Sequence, residues 1–215
     1  MYLHFFVGHM ENITVEIYSE GMELAEVKRT ISKFQKKNNL DFKVKILIDW
    51  FSESAGYYYF GEDDVKLFVN PINCQYFDRT FGYTDDNSFV GVMTHEFAHC
   101  IDDKYGLHAD YRVYTKANGR LMLNDYVRRT NISEEIAELV CLYINNPYLL
   151  KHIDFPRYKW LSKYFKSTTP CSKKNFKEKW KAWDGETRKL CWKDWGIKVV
   201  KQNIYLRKRK RVDKK

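Results

Sequence analysis

The segment from residue 95 to residue 99 reads HEFAH, and it restricts the fold more than any other feature of the chain. His95 and His99 are four residues apart, so their imidazoles share one face only if the segment is helical. Two histidines placed in this way can bind one Zn²⁺ at about 2.0–2.1 Å. Glu96 then lies beside them, where it can take a proton from zinc-bound water that attacks a carbonyl. The spacing therefore predicts a helical zinc site with Glu96 as the catalytic base.

A catalytic zinc site uses three protein ligands and keeps a fourth position open, and the sequence offers three candidates for the third ligand. The segment SEEIAELV places Glu134 and Glu138 on one face of a helix that we expect to begin near Ser133, its N-cap. Glu134 can then bind zinc while Glu138 orients a ligand histidine. Two alternatives stay open, namely Glu135, which points about 100° away on the same helix, and His108.

The order of elements predicts an α+β fold in which a small mixed sheet packs on the metal helix and the glutamate helix. Alternating or β-branched segments predict strands, and apolar residues at three- and four-residue steps predict helices. We expect strands over residues 13–18, 42–50, 57–60 and 65–69, and helices over residues 21–39, 88–105 and 133–145. Gly106 is the expected residue just after the metal helix.

The HEFAH segment and the downstream EEIAE segment, which begins at Glu134, together resemble the gluzincin zinc metallopeptidases. The glutamate segment is similar to that of ImmA/IrrE-type and anthrax-lethal-factor-like peptidases, and the resemblance covers roughly residues 40–150. It implies a zincin-like domain that hydrolyses peptide bonds, with one zinc ion held by the two histidines and Glu134.

The same resemblance implies how substrate is held. Such peptidases pair extended substrate with an edge strand, a role that would fall here to residues 65–70, with an ordinary edge or internal strand as the alternative. They stabilise the tetrahedral intermediate with a tyrosine or a histidine, and Tyr126 is the candidate, with ordinary packing as the alternative. The 35 residues from His99 to Glu134 exceed the spacing in the smallest gluzincins.

Charge is divided unevenly along the chain. Residues 1–150 contain 15 Lys and Arg against 22 Asp and Glu, whereas residues 151–215 contain 22 against 6. We therefore expect a zincin-like domain over 1–155, a basic tryptophan-rich helical extension over 156–205 and a basic, disordered tail over 206–215. The basic C-terminus can bind nucleic acid or an acidic partner, or act as a nuclear address, or be a solvated appendage.

Three functions agree with these features. The first is a zinc metallopeptidase that acts on a protein or peptide substrate. The second is a protease tethered to nucleic acid, as SprT-like proteases are, since these also combine HExxH with a basic tail. Their third ligand is a histidine, so His108 would replace Glu134. The third is a non-catalytic binding protein on a metallopeptidase scaffold.

The remaining features predict where the protein works. Five cysteines without CxxC spacing are typical of reduced thiols in a cytoplasmic compartment. No apolar run approaches the length of about 18 residues that crosses a membrane. The first 18 residues lack the features of a signal peptide and predict a strand. We expect a cytoplasmic protein with no membrane partner.

Overall fold

The structure, a computed structural model, describes residues 6–10, 13–17, 24–61, 64–74, 88–121, 127 and 130–169. Its strands are β1 (Phe6–Met10), β2 (Ile13–Ile17), β3 (Lys43–Ile48), β4 (Gly56–Phe60) and β5 (Asp64–Val69). Its helices are α1 (Leu24–Asn38), α2 (Pro71–Cys74), α3 (Ser88–Tyr105), α4 (Leu107–Asn118), α5 (Ile132–Asn145), α6 (Pro147–Ile153) and α7 (Phe155–Leu161). Among the described residues, no helix has the length and apolar character that would let it cross a membrane. The cytoplasmic location stays a prediction.

The strands form one mixed sheet in the order β1–β2–β3–β5–β4. β3 pairs in parallel with β2 and with β5, whereas the β1/β2 and β4/β5 pairs are antiparallel. The expectation that residues 65–70 form an edge strand is wrong, because β5 has a neighbour on each side. The Gly61 amide donates to the Asp64 carbonyl at 2.7 Å. β4 pairs with β5 and with no other described strand, so β4 is the edge of the described sheet.

α1 and α3 pack together, and α3 covers β4 and β5. Side chains along β5 alternate between buried and partly exposed, with Val65 and Leu67 among the buried ones. Phe97 of α3 packs against Phe34 of α1 and against Phe42, with ring centroids 6.4 and 5.9 Å apart. Burial of these apolar side chains holds α3 in place beside the sheet.

α3 also packs along α5, so it lies between the sheet and the glutamate helix. The expected helix over residues 88–105 is confirmed, and Gly106 follows it with φ of 64°, a conformation that ends helices. The expectation that Ser133 is the N-cap of α5 is wrong. Asn131 is the cap, because its side-chain oxygen accepts from the Ser133 and Glu134 amides at 2.8 and 3.2 Å. The Ser133 hydroxyl can therefore serve another contact.

The boundary expected after residue 155 lies within packed structure of the described residues. The buried core that contains α3 and the sheet also contains Trp160, Leu161 and Phe165. The change in composition near residue 156 therefore marks a more basic surface on the same domain. Residues 170–215, which hold the rest of the expected extension and the tail, lie outside the described residues.

Candidate metal centre

Three side chains from α3 and α5 bring their ligand atoms together. The Nε2 atoms of His95 and His99 are 3.1 Å apart. Glu134, in the first turn of α5, places Oε2 at 2.9 Å from His95 Nε2 and at 3.3 Å from His99 Nε2. Tetrahedral coordination with bonds of about 2.0–2.1 Å places neighbouring ligand atoms about 3.3 Å apart. The three atoms therefore have nearly the separations that one zinc ion requires.

A buried carboxylate fixes the orientation of His95. Glu138 Oε1 lies 3.0 Å from His95 Nδ1, and both side chains are almost fully buried. An ionised carboxylate only accepts hydrogen bonds, so Nδ1 is the donor. Burial lowers the pKa of His95, but its hydrogen bonds to Glu134 and Glu138 outweigh burial and raise this pKa to about 10. Burial alone would raise the pKa of Glu134, yet the two histidines bring it below its ordinary value.

The ligand cluster calls for positive charge at its centre. His95 Nδ1 already donates to Glu138, and His95 Nε2 lies 2.9 Å from the Glu134 carboxylate. Only a proton or a cation bound at His95 Nε2 can balance the negative charge of Glu134 at that position. Protons can satisfy these contacts only pair by pair, with His95 and His99 each donating from its own Nε2 to Glu134 Oε2. A divalent cation can bind all three atoms at once. Two imidazoles and one carboxylate form a donor set that catalytic zinc sites use.

Two further contacts hold His99. Its Nδ1 lies 3.4 Å from the Ser133 hydroxyl, which is 3.4 Å from Oδ2 of the buried Asp102. The ring of Tyr58 stacks on the imidazole with centroids 5.6 Å apart, and the Tyr58 hydroxyl donates to Asp103 Oδ2 at 2.6 Å. Sequence reasoning missed the roles of Ser133 and Tyr58. The run of three tyrosines predicts a strand, but the sheet register decides which of them faces the helix.

Glu96 lies beside the two candidate ligand histidines and against the edge strand β4. Burial raises the pKa of its carboxyl, while His95 and His99 oppose that rise. A Cβ atom at Gly56 would lie 3.0 Å from Glu96 Cγ and 2.6 Å from Val92 Cγ1. Only glycine lets the backbone of β4 approach Glu96 so closely.

A cleft of about 670 Å³ opens over the cluster. β4 and the loop before it supply one set of lining residues, while α3 and the start of α5 supply most of the rest. The lining residues are Glu53, Ser54, Ala55, Gly56, Tyr57, Tyr58, Asn73, His95, Glu96, His99, Asn131, Ser133 and Glu134. The cleft thus places the candidate base, the three candidate ligands and a strand edge around one space.

His108, one alternative third ligand, lies outside the cluster of ligand atoms. Its Nδ1 is 3.8 Å from Asp102 Oδ2, the same oxygen that the Ser133 hydroxyl contacts. Tyr126, the candidate for stabilising the tetrahedral intermediate, lies outside the described residues.

Glu135, the other alternative, is completely buried on a different side of α5. It accepts hydrogen bonds from the Tyr111 hydroxyl at 2.5 Å, from Arg120 Nε at 2.8 Å and from the Leu121 amide at 2.8 Å. Arg157 Nε lies 3.7 Å away. Glu135 therefore ties the segment after α4 to the helix that carries Glu134, the candidate ligand.

Comparison of the chain with models of protein families, with curated proteins and with solved structures finds no match. What the site can do therefore has to follow from its own residues and their geometry.

Proposed function

We propose that the protein is a zinc-dependent metallopeptidase that hydrolyses peptide bonds in a protein or peptide substrate. One observation carries the proposal. Two histidine nitrogens and a carboxylate oxygen converge within 3.3 Å of one another, and Glu96 lines the same cleft. Three protein ligands leave a fourth position for water or substrate, as a catalytic zinc site requires.

Glu96, Glu138 and Tyr58 lie where each can contribute to hydrolysis of a peptide bond. Zinc, when bound, supplies a Lewis acid that polarises a carbonyl and lowers the pKa of water. Glu96 accepts a proton from the attacking water and can return it to the departing amine. Burial raises the pKa of Glu96, which brings it closer to the range where a base works near neutral pH. Glu138 keeps His95 in one orientation, and the Tyr58 ring does the same for His99.

β4 is the element best placed to hold a peptide substrate. Among the described strands it pairs only with β5, so the N–H and C=O groups on its other side can bind an extended peptide. Its first residues, Gly56, Tyr57 and Tyr58, line the cleft. A peptide along this edge would pass directly beside Glu96, which lies against Gly56.

Proteolysis and metal content, measured on the same preparations, test the proposal. We expect the zinc-loaded wild type to cleave an unfolded protein such as casein, and His95→Ala to lose both zinc and activity. Glu96→Gln should keep zinc and lose about 10²–10⁴-fold in rate, the contribution of a positioned acid–base group. Glu53→Gln is the matched control, because Glu53 is an exposed carboxylate of the same cleft that lies outside the ligand cluster.

Two results would contradict the proposal. Proteolysis that is unchanged in Glu96→Gln would assign the activity to a contaminant or to another site. A zinc-loaded wild type that binds unfolded peptides but cleaves none of them would favour the non-catalytic binding protein instead.

A further inference from the structure

Five exposed lysines lie where the end of α1 meets the turn after α7. Lys33, Lys36 and Lys37 follow three- and four-residue steps on α1, so they are neighbours on its outer face. Lys163 lies in the turn after α7, and Lys166 lies in the irregular segment that follows this turn. Within the described part of the chain, none of the five forms a salt bridge. We refer to these five lysines as the basic surface.

Two contacts fix the halves of the basic surface side by side. The Asn38 side chain donates to the Lys166 carbonyl at 3.0 Å and accepts from the Lys166 amide at 2.6 Å. Below them, Phe34 of α1 packs against the buried Phe165 with ring centroids 5.6 Å apart. The lysines therefore form one surface on a fixed backbone.

Two half-exposed tyrosines lie next to the basic surface. Tyr105 is 42% exposed and Tyr164 is 41% exposed, and their rings lie 6.2 and 6.1 Å from that of Phe165. Two carboxylates are also near. Asp110 accepts a hydrogen bond from the Tyr164 hydroxyl. Burial, together with the negative charge of Asp41, raises the pKa of Tyr105. The five lysines still leave the region with a net positive charge.

We propose that the basic surface binds single-stranded nucleic acid, with its lysines against phosphates and Tyr105 and Tyr164 against bases. Single-strand binding sites combine cationic side chains with aromatic rings on which bases stack. The chain continues from this surface into residues 170–215, which contain 17 Lys and Arg against 5 Asp and Glu. Binding of this kind goes beyond the proposed peptidase activity and does not depend on the metal centre.

Fluorescence anisotropy with labelled oligothymidylate tests the proposal on the full chain at several salt concentrations. Each lysine–phosphate contact with a single strand contributes about 0.7 to the slope of log K against log salt. Replacing Lys33, Lys36 and Lys37 together by Gln should therefore reduce the slope by about 2 and weaken binding about a hundredfold near 0.1 M salt. The thermal midpoint should not change, because all three side chains are exposed.

A control variant separates local contacts from loss of net charge. Arg112, Lys116 and Lys151 are exposed residues on α4 and α6, and their joint replacement by Gln removes the same charge. We expect this control to bind almost as the wild type does. Equal weakening of both triple variants would overturn the proposal, because binding would then follow net charge alone. A wild type that fails to bind oligothymidylate at low salt would also overturn it.

The tyrosines provide a second test that does not involve charge. Tyr164→Leu should weaken binding about 5-fold or more without changing the salt slope, since base stacking is sequence-tolerant and uncharged. Tyr164→Phe keeps the ring and should bind as the wild type. Equal affinity of Tyr164→Leu and wild type would exclude stacking at this position and contradict that part of the proposal.

Discussion

Replacing Gly56 by alanine tests whether the close approach of β4 to Glu96 matters for function. The added Cβ would lie 2.6 Å from Val92 Cγ1 and 3.0 Å from Glu96 Cγ. Carbon atoms in good contact are about 3.5–4.0 Å apart, so β4 and α3 must separate locally by about 1 Å. Overpacking of this kind lowers the free energy of unfolding by about 1–3 kcal/mol. A displacement of about 1 Å at a catalytic group costs about a hundredfold in rate.

We therefore expect Gly56→Ala to lose about a hundredfold in kcat/KM on a peptide substrate and to keep its zinc. The clash involves Val92 and Glu96, whereas the ligand atoms belong to two histidines and Glu134. Adding Val92→Ala removes the closer clash and should recover much of the activity. Gly61→Ala is the control at the far end of β4, where the new Cβ would meet the Asp64 side chain at 2.7 Å.

Peptide cleavage and zinc content, measured on the same preparations, give the answer. Full activity in Gly56→Ala would refute the reasoning, because it would mean that β4 can move away from Glu96 at no cost to catalysis. Loss of zinc together with activity would show that the substitution disturbs α3 and its ligands as a whole.

Three further predictions concern the side chains behind the ligands. Glu138→Ala should weaken zinc binding about 10–100-fold in a chelator competition, because His95 loses the acceptor for its Nδ1 proton. In the metal-free protein His95 should keep its second proton up to about pH 10. Because zinc must displace this proton, the affinity for zinc should rise with pH below that value. Calorimetry at pH 8 in buffers of different ionisation enthalpy should then report release of about one proton, and no release would contradict the assigned pKa. Arg120→Met removes the ion-pair partner of the buried Glu135 and should lower the free energy of unfolding, measured in urea, by about 2 kcal/mol. The loss is smaller than for a fully buried pair because the Arg120 side chain is 30% exposed. Adding Glu135→Gln should recover part of this loss, and purely additive losses would argue against the pair.

Local rules were sufficient for the elements that carry the candidate ligands. HEFAH predicts a helix because two histidines four residues apart meet only on a helical face, and α3 covers the expected residues 88–105. Glu134 and Glu138 share a face of α5 for the same reason, and both reach His95. Such predictions use only the helical period, which does not depend on the rest of the fold.

Features that depend on long-range packing could not be predicted in the same way. Residues 65–70 alternate as an edge strand does, but their position depends on the hairpin that places β4 outside β5. Tyr58 reaches His99 only because of the register between β4 and β5, which pairs Tyr58 with Leu67. Ser133 and Asn131 are both good N-caps by composition, and the extended backbone of Asn131 decides between them.

The change in composition near residue 156 does not coincide with an end of the buried core. The rise in lysine content near residue 156 describes surface positions, while Trp160 and Leu161 between them are buried in the main core. A helix can be basic on its outer side and apolar on its inner side, so charge alone does not separate domains.

The zinc content of the purified protein, measured by mass spectrometry, tests the central claim most directly. The samples are wild type, Glu134→Ala and His108→Ala, all purified without added metal. We expect about one zinc per chain in the wild type and in His108→Ala, and little or none in Glu134→Ala. Zinc that stays in Glu134→Ala but is lost from His108→Ala would contradict the proposed ligand set. A wild type that takes up no zinc even when zinc is supplied would contradict the metal centre itself.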